Sequence, residues 1–121
     1  MKIAIPTEGE KGLQESVAKH FGRCKTYTIV DKDGNLIGVM KNISSHFGGE
    51  KLPPELMQDL GINILLCQGI GSKALTLFQK FKIDVFIGHE MSVLELFNKW
   101  KEGCLISADM TNVCKGKHQC R

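Results

Sequence analysis

A chain of 121 residues has the length of one domain, and a domain of this size buries enough surface to fold without a disulfide or metal staple. The hydrophobic fraction of 42% and the charged fraction of 24% are ordinary globular values, which argues against wholesale disorder and against a membrane protein. Lys115, Lys117 and Arg121 account for the net charge of +3. The rest of the chain is balanced, so we expect no nucleic-acid partner.

The N-terminal residues carry no sign of a targeting segment. MKIAIPTEGEKG has only a short apolar run before Pro6, so we expect no secretory signal, no membrane partner and a cytoplasmic location. Five cysteines in that compartment are expected to be reduced thiols, which are available for metal binding or redox chemistry.

The first part of the chain predicts an antiparallel meander. Its predicted strands are residues 2–5, 26–30 and 36–40. Pro6 is expected to end the first strand because it has no N–H for a central ladder. Residues 16–19 are predicted to form a single helical turn, and Asp33-Gly34-Asn35 is predicted to be a hairpin turn.

The second part of the chain predicts a β-α-β-α unit. The predicted helices are 53–60, 72–81 and a last helix from Ser92 to before Gly103, and the predicted strands are 62–67 and 83–87. Apolar strands without alternation, separated by a helix, indicate a parallel pair covered on both faces. We therefore predict an α/β domain over 1–109 with a mixed sheet of about five strands between helices, followed by a mobile basic tail at 110–121.

A glycine-containing turn is the first candidate site. Gly69-Ile70-Gly71-Ser72-Lys73-Ala74 follows a predicted strand and opens a helix, as a dinucleotide-binding G-x-G-x-x-G/A turn does. The chain ends before a full dinucleotide-binding fold is complete. Three interpretations stay open: a nucleotide site, an anion held by backbone N–H groups, and a tight turn without a ligand.

The tail is the second candidate site. Cys114, His118 and Cys120 offer two thiolates and an imidazole, the ligands that suit zinc, copper or iron-sulfur species. Three ligands do not close a tetrahedral site, so a fourth would come from elsewhere in the chain, a partner or a second copy. The alternative is a tail with incidental soft residues.

The third candidate is HFGRC at 20–24. His20 and Cys24 flank Phe21-Gly22-Arg23, and a glycine permits the positive φ that would turn both side chains towards one pocket. His46 precedes a second Phe-Gly pair in a long loop. Spacing alone leaves open whether these histidines are ligands or structural residues. The first predicted strand carries no acid, no Ser-His-Asp arrangement can be placed, and no enzyme is indicated.

Several of these motifs also occur together, in order, over residues 1–103. They are MKIAIP, HFGRC before a strand, His46 followed by Leu52-Pro53 and a helix, and CQGIGSKA with a helix before IDVF. In this combination the chain resembles the dinitrogenase iron-molybdenum cofactor biosynthesis family. The resemblance implies a ribonuclease H-like three-layer α/β/α fold without nuclease activity.

The same resemblance implies a role in cluster binding. Family members with an assigned role bind or carry metal-sulfur clusters, including iron-molybdenum cofactor precursors, and a related protein holds a molybdenum-copper sulfide. The histidine of H-F-G is the residue implicated in cofactor binding, and here it is His20. A soft anionic cluster would be held by an imidazole or thiolate, with a basic side chain and backbone N–H groups to balance its charge.

The leading hypothesis is therefore a non-catalytic carrier or scaffold for an iron-sulfur or molybdenum-containing metal-sulfur cluster, with donor and acceptor proteins as partners. The predicted cofactor-binding residues are His20, Arg23, Cys24, His46, Gly69, Gly71 and Ser72, and the predicted metal ligands, for zinc or a similar ion, are Cys114, His118 and Cys120. The alternative is a nucleotide- or phosphate-binding regulatory module that uses the Gly69–Ser72 turn. A redox-sensing thiol protein is a third hypothesis.

Overall fold

The computed structural model describes residues 1–42, 52–89 and 92–108. Within these residues the strands are β1 (Ile3–Thr7), β2 (Thr26–Val30), β3 (Leu36–Lys41), β4 (Ile64–Cys67), β5 (Asp84–Ile87) and β6 (Ile106–Ser107). The helices are α1 (Pro53–Asp59), α2 (Ser72–Lys80) and α3 (Val93–Lys101), with a 3₁₀ turn at Gly12–Gln14. None of the helices in the described ranges is long and apolar enough to cross a bilayer.

The strands form one mixed sheet in the order β3-β2-β1-β4-β5-β6. β1, β2 and β3 are the predicted antiparallel meander, and β1, β4 and β5 run parallel to one another. The described part of the chain thus holds six strands where about five were expected. The additional strand is the two-residue β6, which pairs antiparallel with the end of β5 through Ile106 and Ile87.

Helices cover both faces of the sheet. Since successive residues of a strand point to opposite faces, the sheet contributes to two separate apolar clusters. One apolar cluster joins Ala4 and Leu65 of the sheet to the buried residues of α1 and α2. The other joins Ile3 and Leu66 to the buried residues of α3. The predicted α/β fold with a mixed sheet between helices is confirmed.

Pro6 does not end the first strand, contrary to the prediction. It pairs with Tyr27 in the β1–β2 register, and β1 continues to Thr7. The ladder from β1 to β4 covers only Ile3 and Ala4, so Pro6 lies beyond the part of β1 that is paired on both sides. Its missing N–H therefore interrupts no ladder, and its carbonyl accepts a hydrogen bond from the Ala18 N–H at 2.8 Å.

The predicted helical turn at 16–19 is also wrong. Val17 forms a bridge with Thr7 and Ser16 forms one with Ser92, so this segment is extended. It runs beside the end of β1 that β4 leaves open, and it buries Val17 and Ala18 in the core. Tertiary pairing therefore overrides the local preference for a turn.

The other predicted elements are present with small shifts at their ends. The Ser92–Glu95 capping box begins α3: the Ser92 hydroxyl accepts the Glu95 N–H at 3.2 Å, and a Glu95 carboxylate oxygen accepts the Ser92 N–H at 3.2 Å. The predicted tail at 110–121 lies outside the described residues, and the domain boundary at 109 stays a prediction.

Candidate functional site

The candidate site lies where the direction of the sheet connections changes. β1 and β4 are parallel neighbours, but β1 is followed in the chain by β2 on one side and β4 by β5 on the other. In open α/β sheets, ligand-binding crevices form outside the carboxyl ends of strands at such a point. HFGRC lies between β1 and β2, and the Gly69–Ser72 turn follows β4, so both candidate segments lie at this edge.

These two segments are in direct contact. The Phe21 N–H donates a hydrogen bond to the Gly69 carbonyl at 2.9 Å. A Cβ atom at Gly69 would lie 2.8 Å from the Lys19 carbonyl oxygen and 3.6 Å from His20 Nδ1, so only glycine allows this approach. The HFGRC loop and the glycine turn therefore meet at the same edge of the sheet.

A cleft of about 970 Å³ opens beside this contact. The described residues that line it are His20, Phe21, Gly22, Arg23, Leu52, Pro53, Pro54, Ile70, Gly71, Lys73, Ala74, Thr76 and Leu77. The HFGR segment, the start of α1 and the part of α2 up to Leu77 therefore form its walls. Most of the lining is apolar, its basic groups are His20, Arg23 and Lys73, and no acid is among these lining residues.

Phe21 fixes the position of the HFGR segment. Its buried ring has its centroid 5.8 Å from that of Tyr27 and 5.1 Å from that of Phe78, so Phe21 anchors the segment in the core. His20 and Arg23 on either side of it are exposed at the cleft. The buried aromatic ring thus holds a surface imidazole and a surface guanidinium within one short segment.

Gly22 is required by the backbone at this position. Its φ is +89°, which lies in the left-handed region that side chains disfavour. A Cβ atom there would also lie 3.2 Å from Pro53 Cγ, at the start of α1. The glycine therefore permits both the turn and the close approach of the two walls.

Cys24 does not share the cleft with His20, contrary to the prediction. Its side chain is 1% exposed and belongs to the apolar cluster under α1 and α2. The Asn42 amide donates to the Gly22 and Cys24 carbonyls at 3.0 Å each and lies 3.9 Å from the Cys24 sulfur. Burial raises the pKa of this thiol, which disfavours the thiolate that a metal would need.

Only some of the predicted binding residues in the glycine turn line the cleft. Gly71 lines it and is the N-cap of α2, with no side-chain capping hydrogen bond. Gly69 is held behind it by the contact with Lys19. Ser72 is exposed at the first position of α2 and is not among the lining residues. The structure therefore brings His20, Arg23, Gly69 and Gly71 together and leaves Ser72 to the side.

The remaining predicted ligands lie outside the described residues, and nothing tests them. They are His46, Cys114, His118 and Cys120. Within residues 1–42, 52–89 and 92–108 no three His, Cys, Asp or Glu residues are grouped as a metal site. Among the described lining residues of the cleft, His20 is the only histidine, and no cysteine or acid accompanies it.

Two contributors to the site were missed from the sequence. Lys73 had a signal, because a basic residue in the first turn of a predicted helix opposes the helix dipole. Pro53 and Pro54 were expected to start a helix. They also line the cleft together with HFGR, and this contact is a result of long-range packing. No spacing rule reports such a contact.

The sequence profile described as "dinitrogenase iron-molybdenum cofactor" matches residues 1–103. The chain belongs to this family. The match includes HFGRC, the start of α1 and the glycine turn, so it contains the whole cleft. It supports the resemblance found in the motifs and a general association with the biosynthesis of this cofactor.

Individual relatives are similar to this chain over most of its length. An uncharacterized protein from Methanocaldococcus jannaschii, MJ0580, is 29% identical over 110 residues, covering 87% of this chain and 89% of that protein. The crystal structure of PH0822 has a TM-score of 0.69 at 29% identity and covers 92% of this chain and 98% of that one. The apo form of the orange protein from Desulfovibrio gigas has a TM-score of 0.77 at 22% identity, over 88% and 92%, which shows the shared fold alone.

Proposed function

We propose that this chain is a non-catalytic carrier or scaffold for a metal-sulfur cluster, which it binds in the cleft between HFGR and α2. The single observation that carries the proposal is the joint placement of His20 and Arg23 at one cleft, within the part of the chain that the family profile matches. The cargo is an iron-sulfur cluster or a molybdenum-containing cofactor precursor.

The chemistry of the lining suits such a cargo. Metal-sulfide clusters are soft and anionic, and an imidazole is a ligand for their metal atoms. Arg23 offsets negative charge, and the apolar residues Ile70 and Leu77 exclude water from the cluster. The absence of acids among the described lining residues leaves no group there that would repel an anion.

We further propose a cytoplasmic protein that receives its cluster from a donor protein and passes it to an acceptor. Cys114, His118 and Cys120 would capture a metal ion such as zinc, or would close over the cleft. His46 is a further candidate ligand. These roles depend on the family and on ligand chemistry and are independent of the cleft geometry.

The test is metal and sulfide analysis, with an absorption spectrum, of protein purified without oxygen or reconstituted with iron-sulfur and molybdenum-sulfur clusters. His20→Ala should lose the visible-absorbing cluster. His89→Ala is the matched control, because His89 is also exposed but does not line the cleft. A chain truncated after Val113 tests the tail.

The outcomes separate the alternatives. Loss with His20→Ala but not with His89→Ala supports the proposal. Loss only on truncation would make the tail the site and the folded domain a platform. A wild type that is colourless, metal-free and refuses reconstitution with either cluster would refute the carrier function.

A nucleotide- or phosphate-binding module is the second candidate. It is favoured by one observation: α2 follows the parallel strand β4 and begins after Gly71, an N-cap residue that has no side chain to accept the first N–H groups of the helix. Calorimetry with common nucleotides tests it. Micromolar binding that Gly71→Asp abolishes and His20→Ala leaves intact would favour this candidate over cluster binding.

A further inference from the structure

Lys73 is a second cationic side chain at the cleft, besides Arg23. It is the second residue of α2, it is exposed, and it lines the cleft together with His20 and Arg23. Arg23 comes from the loop between β1 and β2, whereas Lys73 comes from the helix after β4. Two cationic side chains from separate elements therefore border one space.

This placement is unfavourable for the helix itself. The other two helices in the described residues have an acid in their first turn, Glu55 in α1 and Glu95 in α3, where it complements the positive end of the helix dipole. The first turn of α2 has no acid. Lys73 adds a like charge at that end, so local helix stability does not account for it.

Among the described residues that line the cleft, no side chain supplies a negative counter-charge for these groups. None of the described lining residues is an aspartate or a glutamate, and most of the lining is apolar. Arg23 and Lys73 are like charges that border the same cleft, and a bound anion would relieve the repulsion between them. The two side chains together therefore favour an occupant that carries more than one negative charge.

We propose that Lys73 is a specificity-determining residue of the cleft: together with Arg23, which comes from a separate element, it selects cargo that carries at least two negative charges. The occupant class is a compact metal sulfide whose sulfide atoms face outward. Free metal cations and neutral metal complexes are rejected. This inference rests on the proposed carrier function and adds to it the charge of the cargo.

The test uses the full chain without oxygen, with tetrathiomolybdate as a soft sulfide-covered dianion. Lys73→Met removes the charge and keeps the length of the side chain, and Lys73→Arg keeps the charge. Lys80→Met is the matched control, because Lys80 lies in the last turn of the same helix and does not line the cleft. The measurements are the dissociation constant at low and high salt and the melting temperature.

Lys73→Met should weaken binding about tenfold at low ionic strength, the effect of one exposed charge on a nearby dianion. The difference from wild type should shrink as salt rises to about 0.5 M, because added ions screen exposed charges. Lys73→Arg and Lys80→Met should bind like wild type. The melting temperature of Lys73→Met should stay equal or rise, since a like charge leaves the positive end of α2.

The failures of the two proposals are distinguishable. If wild type binds the dianion and Lys73→Met binds equally well at low salt, this inference is overturned and the carrier function stands. If Lys73→Met binds more weakly but also melts earlier, with no change in salt dependence, the role of Lys73 is structural and the inference is again overturned. If wild type binds neither tetrathiomolybdate nor an iron-sulfur cluster, the carrier function itself fails.

Discussion

Gly69→Ala should be among the more damaging small substitutions in the site, although it adds one methyl group. The new Cβ would lie 2.8 Å from the Lys19 carbonyl oxygen, which is backbone and cannot rotate away. The φ of Gly69 lies outside the left-handed region, so the effect is steric and owes nothing to backbone strain at the residue itself. The methyl group must separate the HFGR segment from the turn.

The magnitude follows from the two interactions that would be disturbed. Weakening the hydrogen bond from the Phe21 N–H to the Gly69 carbonyl costs about 1 kcal/mol. Overpacking against a fixed neighbour costs a further 1–3 kcal/mol or so. The lower backbone entropy of alanine in the unfolded chain returns about 0.5 kcal/mol. We therefore expect the free energy of unfolding to fall by about 2.5 kcal/mol.

Urea unfolding of Gly69→Ala and Gly71→Ala is the assay, with cluster reconstitution as a second readout. A Cβ atom at Gly71 would have no neighbour within 4 Å, so this variant is the control. At Gly71 the entropy gain of alanine and its poorer N-capping nearly cancel, so the free energy of unfolding should change by less than about 0.5 kcal/mol. If Gly69→Ala is as stable as Gly71→Ala, the HFGR segment and the Gly69–Ser72 turn do not approach each other as closely as described.

Two further predictions concern ionisable groups. The Glu15 carboxylate accepts the Lys11 and Ser16 N–H groups at 3.1 and 2.9 Å, which lowers its pKa below the usual 4.5. The stability that this ionised carboxylate contributes is therefore present above about pH 4.5 and is lost as pH falls through the lowered pKa. Glu15→Gln should make the free energy of unfolding fall less steeply as pH is lowered below about 4.5. An unchanged dependence on pH in this range would contradict the prediction. Burial raises the pKa of the Cys24 thiol and raises the pKa of Cys67 to about 12, so mass mapping of the reduced protein with a thiol reagent should find both labelled only after unfolding. Rapid labelling of native Cys24 would return it to the candidate ligands.

The sequence predicted most elements because their signals are local. The Ser92–Glu95 capping box, the turn at Gly34 and the unalternating apolar runs of β4 and β5 each depend on a few adjacent residues. The errors occurred where a distant segment decided the outcome. Pro6 is tolerated because the β1–β4 ladder stops at Ala4, and residues 16–18 are extended because they pair beside that open end.

The candidate site shows the same division. The HFGR motif and the glycine turn were identified from residue types, and Gly22 was expected to allow positive φ, as it does at +89°. Cys24 was expected to turn towards His20. Its side chain instead packs in the apolar cluster that contains Phe21, where it is 1% exposed. Four residues of loop spacing do not reveal which side chains the core will bury.

The sequence by itself thus determined the fold class, the order of the elements and the kinds of ligand that this protein offers, because periodicity, caps and residue chemistry are written locally along the chain. Only the tertiary structure decided which of those candidate side chains lie at the same cleft. It placed His20, Arg23 and Lys73 at one cleft and buried Cys24. Those outcomes depend on sheet order and on packing between segments far apart in the chain, and no local pattern encodes them.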